Sequence, residues 1–449
     1  MMIEERTPST RYAPIPRGVA DYFWEEAYRR RELEANLLDI FRRWGYGDVI
    51  PPTFEYADVL NARASDKLRS EMYRFLDRDG STLALRLDMT IPVARLVSTR
   101  LHDWPMPQRF CYAGSVFRYT QPQAGREREF RQAGIELIGA AAPEADAEVL
   151  ALTCAGLEQA GLENFRLVMG QMGYFHGLLD DLQLTPPQQQ ALLDAVDRNS
   201  EAELAEFLRA TPLRTQQRRT VEELLSLRGA GIDAIIQQAD RLCLNYAMHA
   251  ALENLRAICT SLDAYGVCDY VYLDLTEIYN LGYYTGITFE ALTPELGFSV
   301  AGGGRYDNLL GAFGESHPAV GVALGVDRIL LALDEQRGEA PLRRPRPADL
   351  AVMTRHSAQC TQLVQAWRQS GLRVEITLGQ EDEQKAWRAA RERGVQAMLA
   401  WDEDQFRLYA GAKDNTRPVS LSIEEIRAYA GKAGLVSLLW LHETKSRLP

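Results

Sequence analysis

The stretch from residue 273 to residue 331 constrains the fold of this chain more than any other segment. Apolar and polar residues alternate over 287–290, which predicts a β-strand, and residues 298–300 have the composition of its partner strand. Glycines at 302–304 follow, and a backbone without side chains lets a small ligand approach closely. Apolar residues 329–333 then predict a helix with Arg328 in or near its first turn. The segment predicts a polar pocket on a sheet, although glycines in a strand are also typical of a β-bulge.

The composition is that of a globular protein with two or three domains. The chain has 449 residues, of which 46% are hydrophobic and 25% charged. A net charge of −12 argues against non-specific nucleic-acid binding through the whole surface. Six scattered cysteines lack metal-ligand spacing, so we expect reduced thiols, no metal and a cytoplasmic location. With no apolar leader and no run of about 18 apolar residues, we expect no membrane segment.

Lysine is unusually rare, and this limits the chemistry of any nucleotide site. The chain has five lysines, and only Lys67 precedes residue 385. A glycine-rich phosphate loop ending in Gly-Lys-Ser/Thr is therefore absent from the sequence. Any nucleotide site would have to rely on arginine.

The N-terminal part predicts a helix followed by strands. Residues 22–44 carry apolar side chains on one stripe of an amphipathic helix, and 47–52 predict a strand that ends at two prolines. Residues 72–76 and 82–86 flank Asp79-Gly80 and predict a β-hairpin. By itself this pattern is typical of a helix that packs on a sheet.

Residues 109–139 form a second informative stretch. One strand is predicted to end at residues 117–118, a Gln-Pro-Gln-Ala-Gly loop turns the chain, and another strand begins at residues 128–132. Five arginines in this stretch could be a solvated charge run, but the alternation around them favours a functional hairpin. An arginine at the end of the first strand of such a hairpin can bind a phosphate or carboxylate group bidentately.

The rest of the chain divides into three parts. Residues 174–264 are rich in Leu, Ala, Gln and Glu and predict a helical insertion. Residues 336–347 are polar and proline-rich, as expected for a linker. Strands predicted at 350–353, 373–376 and 397–401, with helices between them, indicate an α/β domain with a mostly parallel sheet over 348–449.

Two motifs in the first stretch resemble the histidine-specific motifs of histidyl-tRNA synthetases. They are residues 280–286, Asn-Leu-Gly-Tyr-Tyr-Thr-Gly, and residues 302–307, Gly-Gly-Gly-Arg-Tyr-Asp. The synthetases have their catalytic arginine where this chain has Tyr279, and an aspartate where it has Gly282. A tyrosine cannot supply a fixed positive charge, and losing one such donor costs roughly two to three orders of magnitude in rate. This combination resembles the regulatory subunits of ATP phosphoribosyltransferases, a synthetase-like family of histidine biosynthesis.

The resemblance implies a class II aminoacyl-tRNA synthetase-like fold. It implies an antiparallel sheet with flanking helices over residues 1–335, interrupted by the helical insertion, and an anticodon-binding-like domain over 348–449. It also implies a homodimer through the helix and strand of residues 22–52. We expect no tRNA partner, although the net excess of two positive charges over residues 346–449 is too small to argue for or against one.

The resemblance also assigns site residues, position by position. The histidine-binding residues that it implies are Asp88, Thr90, Arg118, Gln132, Glu136, Tyr283 and Tyr284. Positions that could retain part of an ATP site are Arg126, Phe130 and Arg328. Among these, Asp88 could instead cap the helix that begins near Thr90. Asp146 and Glu148 are candidates for acids that support the site.

Two functions remain open at this point. In the first, the chain is a non-catalytic, histidine-sensing subunit that controls a short-form ATP phosphoribosyltransferase, with no cofactor of its own. In the second, it is a histidyl-tRNA synthetase that uses ATP despite its altered motif. A synthetase-like enzyme that modifies something other than tRNA is a third, less favoured interpretation.

Overall fold

The computed structural model describes residues 15–62, 66–121, 127–277, 283–337, 348–354, 358–378, 382–402, 405–411 and 418–428. The described residues divide into two compact units, one drawn from 1–22 and 29–340 and the other from 23–28 and 341–449. Within the described ranges, no helix combines the length and the apolar character needed to span a bilayer.

A nine-stranded sheet organises the first unit. The strands up to residue 325 are β1 (Gly47–Asp48), β2 (Phe54–Tyr56), β3 (Arg74–Leu76), β4 (Thr82–Leu85), β5 (Gln108–Phe117), β6 (Glu129–Ile138), β7 (Arg166–Gln171), β8 (Arg228–Gly229), β9 (Val271–Asp274), β10 (Ile287–Leu292), β11 (Ala301–Arg305) and β12 (Ala319–Gly325). The order in the large sheet is β1-β5-β6-β12-β11-β10-β7-β9-β8. Its centre, from β5 to β7, is antiparallel, as the resemblance implied.

The helices of this part of the chain pack against the sheets or against one another. They are α1 (Trp24–Arg43), α2 (Ala57–Asn61), α3 (Asp66–Ser70), α4 (Thr90–Arg100), α5 (Pro143–Ala160), α6 (Met172–Leu182), α7 (Pro186–Asp197), α8 (Glu201–Ala210), α9 (Thr215–Glu223), α10 (Ile232–Asp240), α11 (Tyr246–Tyr265) and α12 (Val326–Arg337). One apolar cluster joins Leu37 and Phe41 of α1 to α5, α11 and one face of the sheet. A second cluster joins α4 to the opposite face and contains Tyr112 and Tyr306. The functional candidates lie with this second cluster.

Most predicted elements are found close to their predicted positions. The helix predicted at 22–44 is α1, the hairpin arms are β3 and β4, and the arginine-rich hairpin is β5 and β6. Helices α6 to α11 occupy the stretch predicted as a helical insertion, and Arg328 lies in the first turn of α12. The period-2 and period-3.6 patterns predicted these elements because each element buries one face against its neighbours.

Two strand predictions were wrong in extent. The partner of β10 is not residues 298–300 but β11, in which the glycines themselves pair with β10, Gly302 opposite Glu290 and Gly304 opposite Thr288. The glycines are therefore ladder residues, because neighbouring strands supply the pairing that local propensity does not. The strand predicted at 47–52 is only β1, since the prolines end its pairing.

The C-terminal unit has its own sheet and core. Its strands are β13 (Leu350–Met353), β14 (Val374–Thr377), β15 (Ala397–Asp402), β16 (Gln405–Ala410) and β17 (Val419–Ser422), and its helices are α13 (Ala358–Gln369), α14 (Glu383–Glu392) and α15 (Ile423–Ala428). Strands β14, β13 and β15 are parallel, as predicted, whereas β16 and β17 add antiparallel edges that the pattern did not predict. Successive residues of β13 belong to different apolar clusters, so both faces of this sheet are covered. Most of the predicted linker lies outside the described residues.

Candidate functional site

A row of small residues crosses the centre of the nine-stranded sheet. Glu136 of β6 pairs in register with Gly321 of β12, and Gly321 pairs with Gly304 of β11. Gly304 in turn pairs with Thr288 of β10. Residues in register on neighbouring strands project to the same face of a sheet. The two middle strands therefore present bare backbone between a carboxyl group and a hydroxyl group.

Side chains from neighbouring segments fill the space above these glycines. A Cβ atom on Gly321 would lie 1.9 Å from Glu136 Oε2, and one on Gly304 would lie 2.8 Å from the ring of Tyr284. A Cβ atom on Gly134 would lie 2.6 Å from the hydroxyl of Tyr112. Each distance is shorter than a van der Waals contact, so glycine is needed at these positions for the polar side chains to lie flat on the sheet.

Glu136 is the centre of this arrangement. It is 1% exposed, and its Oε1 accepts hydrogen bonds from Thr90 Oγ1 at 2.7 Å and from the Tyr112 hydroxyl at 3.0 Å. The Tyr306 hydroxyl donates to Oε2. Burial raises the pKa of Glu136 to about 7, and the three hydroxyl bonds oppose that rise. An ionised carboxylate offers about four lone-pair positions, so three donors leave one for an N–H group of a ligand.

A wall of three tyrosine rings stands beside Glu136. The ring of Tyr283 stacks on that of Tyr306 with centroids 5.7 Å apart, and meets that of Tyr284 edge-on at 4.9 Å. Burial, and then the negative charge of Asp88, raise the pKa of Tyr283 well above its ordinary value. The hydroxyl therefore stays protonated at neutral pH, and the wall presents apolar faces with hydrogen-bond donors at their edges.

Asp88 lies just before α4, and two roles were predicted for it: a contact with histidine and a cap of this helix. Its Oδ1 accepts a hydrogen bond from the backbone N–H of Ile91 at 3.0 Å, which is the capping contact expected under the alternative interpretation. Burial raises the pKa of Asp88, while this backbone bond and the charge of Arg118 act in the opposite direction. The capping bond uses one of the two carboxylate oxygens, so it does not exclude a ligand contact through the other.

Arg118, Phe130 and Gln132 line the β5–β6 side of the site. The Arg118 guanidinium donates through Nε to Leu87 O at 3.0 Å and lies 5.3 Å from the centre of the Phe130 ring. Gln132 pairs with Gly114 on one side and Gly325 on the other. Its Oε1 is buried, and within the described part of the chain it accepts no hydrogen bond. A buried acceptor of this kind is suited to a donor group on a ligand.

Arg328 has a different set of contacts from Arg118. Its Nη1 donates to Ser299 O at 2.8 Å, and its guanidinium lies 5.2 Å from the centre of the Phe298 ring. Burial raises the pKa of nearby Glu290, and the charge of Arg328 partly offsets that rise. Arg126 and Tyr279, the other positions proposed from the nucleotide chemistry, lie outside the described residues, as does Gly282.

Arg305 anchors β11, the strand that carries the three glycines 302–304. Its Nε donates to Asp146 Oδ1 at 2.9 Å and its Nη1 to Ala140 O at 3.0 Å, with both charged side chains almost fully buried. Burial raises the pKa of Asp146 to about 6, and the charge of Arg305 lowers it. Asp146 therefore supports the site through Arg305, whereas Glu148 pairs with Arg109 and Tyr46 elsewhere.

Sequence reasoning did not identify two tyrosines that contact Glu136. Tyr306 lies within the Gly-Arg-Tyr-Asp motif, but the resemblance assigned this tyrosine no role. Tyr112 lies two residues before Gly114 on β5, and this spacing places the Tyr112 ring on the sheet face that Gly114 leaves bare. That periodicity was the one signal in the sequence that could have found Tyr112.

Comparison with known proteins places this chain within a protein class. The family model of histidyl-tRNA synthetases matches residues 18–329. A solved histidyl-tRNA synthetase from Nostoc sp. PCC 7120 shares the fold, with a TM-score of 0.72 at 21% identity over 95% of this chain and all of that one. Together with the central antiparallel sheet, these matches define a histidyl-tRNA synthetase-like protein.

Relatives with higher sequence identity specify the family within that class. The ATP phosphoribosyltransferase regulatory subunit of Desulforamulus reducens is 38% identical over 88% of this chain and 98% of its own length. That of Moorella thermoacetica is 40% identical over 86% of this chain and 97% of its own. A solved chain from Bacillus halodurans, described as an ATP phosphoribosyltransferase regulatory subunit/histidyl-tRNA synthetase, has a TM-score of 0.77 at 29% identity, covering 88% of this chain and 99% of that one. The chain belongs to the family of ATP phosphoribosyltransferase regulatory subunits, as the motifs predicted.

Proposed function

We propose that this chain is the non-catalytic regulatory subunit of an ATP phosphoribosyltransferase and that it senses L-histidine in the pocket around Glu136. The names of its relatives support the regulatory role. The remaining acceptor position on Glu136, beside three tyrosine rings and above bare backbone, is the observation that carries the histidine assignment.

The chemistry of histidine fits the distribution of groups in the pocket. The imidazole ring would stack against the tyrosine wall and donate an N–H to Glu136 Oε2. The ammonium group would lie between Asp88 and the orphan acceptor of Gln132, and the carboxylate would pair with the Arg118 guanidinium. Thr90 takes part indirectly, because its hydroxyl orients the Glu136 carboxylate.

Regulation would follow from differential binding. Histidine can shift a partner enzyme between two states only if its affinity for the two states differs. The tyrosine wall and α4 both contribute to the pocket. Closing them around histidine would therefore move Tyr306 and Thr90, which lie 170 and 46 residues from Glu136 in the sequence. The proposed partner is the short-form catalytic subunit, and a homodimer of this chain would present the pocket twice in each assembly.

The first test is histidine binding by calorimetry, with Glu136→Gln as the variant. We expect the variant to bind histidine about 5- to 150-fold more weakly, because an unpaired buried polar group costs roughly 1–3 kcal/mol. Glu148→Gln is the matched control, since Glu148 also bonds a tyrosine but lies outside the pocket. Equal affinity in the wild type and Glu136→Gln would remove Glu136 from the site.

The regulatory role has a separate readout. Mixed with a short-form ATP phosphoribosyltransferase, the wild-type chain should make that enzyme sensitive to histidine, and Glu136→Gln should require correspondingly more histidine. Histidine-dependent exchange of pyrophosphate into ATP by the chain alone would instead establish the synthetase activity. Histidine binding without exchange and without any effect on the partner would leave the sensor pocket intact but contradict the regulatory proposal.

A further inference from the structure

The turn between α10 and α11 gathers three different metal-binding groups at one point. Asp240 is the last residue of α10, Cys243 lies in the turn, and His249 is in the first turns of α11. One potential ligand atom from each lies within 4.8 Å of the other two. The Asp240 Oδ1 and His249 Nδ1 atoms are 3.0 Å apart. Tetrahedral coordination with bonds of about 2.0–2.3 Å requires comparable separations between ligand atoms.

The backbone that carries these groups is held in place by contacts outside the cluster. The Asn245 side chain accepts from the backbone N–H of Met248 at 3.0 Å and so caps α11. The same side chain donates to Gly177 O of α6 at 2.7 Å. The three groups are therefore presented by a fixed turn, so that a metal would meet them with little loss of conformational entropy.

The Cys243 thiol can lose its proton without leaving a buried group unsatisfied. Its Sγ donates to Ala239 O at 3.5 Å, and the Tyr174 hydroxyl donates to the same carbonyl at 3.2 Å. If the thiol proton leaves, Tyr174 still satisfies that carbonyl. Cys243 is 8% exposed, whereas the side chains of Asp240 and His249 are 41% and 50% exposed. The cluster thus has a buried sulfur at its base and an opening to solvent.

We propose that Asp240, Cys243 and His249 form a Zn²⁺ site with water as the fourth ligand, contrary to the expectation drawn from the spacing of the cysteines alone. A set of one thiolate, one imidazole and one carboxylate suits zinc, whereas Mg²⁺ and Ca²⁺ prefer oxygen ligands alone. On binding, the Cys243 thiol releases its proton to solvent and the Asp240–His249 hydrogen bond is replaced by two bonds to the metal. The thiolate and carboxylate cancel the charge of the ion. The Arg256 guanidinium, 3.8 Å from Asp240 Oδ1, therefore meets no net positive charge.

The test uses the full-length chain, freed of metal with a chelator and kept reduced. Titration with Co²⁺ should produce the sulfur-to-cobalt charge-transfer band and the intense visible bands of a tetrahedral site, and Zn²⁺ should abolish both. Cys243→Ser should lose the charge-transfer band, and both Cys243→Ser and His249→Asn should weaken Zn²⁺ binding more than tenfold in chelator competition. Zn²⁺ should also raise the unfolding midpoint of the wild type, and it should not raise that of either variant.

Two control variants make the same kinds of substitution at a cysteine and a histidine outside the cluster. Cys259→Ser removes a cysteine of α11, and His102→Asn removes a histidine that lies 3.3 Å from Asp103; neither residue belongs to the cluster. Both should bind Co²⁺ and Zn²⁺ as the wild type does. Binding without the charge-transfer band, or affinity equally reduced in the controls, would overturn the proposal in favour of adventitious surface binding. Because His249 is half exposed, His249→Asn decides the outcome if Cys243→Ser does not fold.

Discussion

Glu136 combines nearly complete burial with three hydroxyl donors, and burial has the larger effect on its pKa. Its ordinary pKa is 4.5 and its pKa in the folded protein is about 7. Between these values the folded protein holds a proton that the unfolded chain has lost. The contribution of this group to stability is therefore greatest below about pH 4.5, falls as the pH rises to 7 and is constant above it.

The prediction is a pH-dependent difference between two proteins. The free energy of unfolding of the wild type, minus that of Glu136→Gln, should decrease as the pH rises from 4.5 to 7.5. Urea unfolding at half-unit pH intervals measures this difference, and subtraction removes the effect of other acids such as Asp146. Parallel stability curves for the two proteins would show that Glu136 titrates normally in the folded state.

Gly321 provides a second prediction at the scale of one residue. In Gly321→Ala the new Cβ would lie 1.9 Å from Glu136 Oε2 and 2.6 Å from Ile135 O, so the carboxylate and the strand must shift. We expect a loss of about 1–3 kcal/mol in unfolding free energy and a lower affinity for histidine. Gly297→Ala is the control, since nothing lies within 4 Å of its Cβ position. Similar stability of both variants would contradict the close approach at Gly321.

At the scale of elements, the site depends on how β11 is attached to α5. The Arg305–Asp146 pair is buried, with side chains 8% and 1% exposed, and Tyr306 follows Arg305 directly. Backbone bonds from Thr285 N to Arg305 O and from Tyr306 N to Ala319 O extend this attachment to the tyrosine wall and to β12. The ion pair should therefore fix the position of the Tyr306 hydroxyl that reaches Glu136.

Breaking this pair should be costly, whereas breaking an exposed one should not. Asp146→Asn leaves Arg305 without its main counter-charge. We expect the free energy of unfolding to fall by about 3 kcal/mol and histidine to bind more weakly. Asp48→Asn is the comparison, because Arg42 and Asp48 are about half exposed and such a pair contributes about 1 kcal/mol or less. Thermal unfolding midpoints measure both. A shift for Asp146→Asn no larger than that for Asp48→Asn would mean that the buried pair does not anchor β11.

At the scale of the whole molecule, β2, β4 and β3 form a separate three-stranded antiparallel sheet, in the order β2-β4-β3, that leaves apolar side chains uncovered. Phe54 and Leu76 are 53% and 74% exposed, and the rings of Phe54 and Phe75 meet edge-on at 5.9 Å. Ile50, just before β2, is 94% exposed. Uncovered apolar patches of this kind are typical of interaction surfaces, and the resemblance implies a homodimer near this part of the chain.

We predict that this patch contributes to self-association. The wild type should be a dimer by size-exclusion chromatography with light scattering, and the double variant Phe54→Glu/Leu76→Glu should shift toward monomer because charge is not tolerated in a buried apolar contact. Tyr246→Glu is the control, since Tyr246 is 86% exposed in the helical insertion. An unchanged mass for the double variant would place the dimer contact elsewhere. A monomeric wild type would contradict the predicted self-association.

The sequence alone determined the elements, the family and much of the candidate site. The alternating residues of 287–290, the apolar stripe of α1 and the motif at 302–307 predicted local structure because each depends on neighbours within a few residues. The resemblance added Glu136, Thr90 and Gln132, which the structure brings onto or beside one sheet face.

The tertiary structure decided how these residues interact. Tyr112 and Tyr306 lie 24 and 170 residues from Glu136, and no local pattern indicates that three hydroxyl groups converge on one carboxyl. The glycines of β11 became ladder residues only because β10 and β12 flank them, and Asp240, Cys243 and His249 meet only because a capped turn folds α10 back on α11. Periodicity fixes which face a side chain occupies, whereas strand order and helix packing fix which distant side chain it meets.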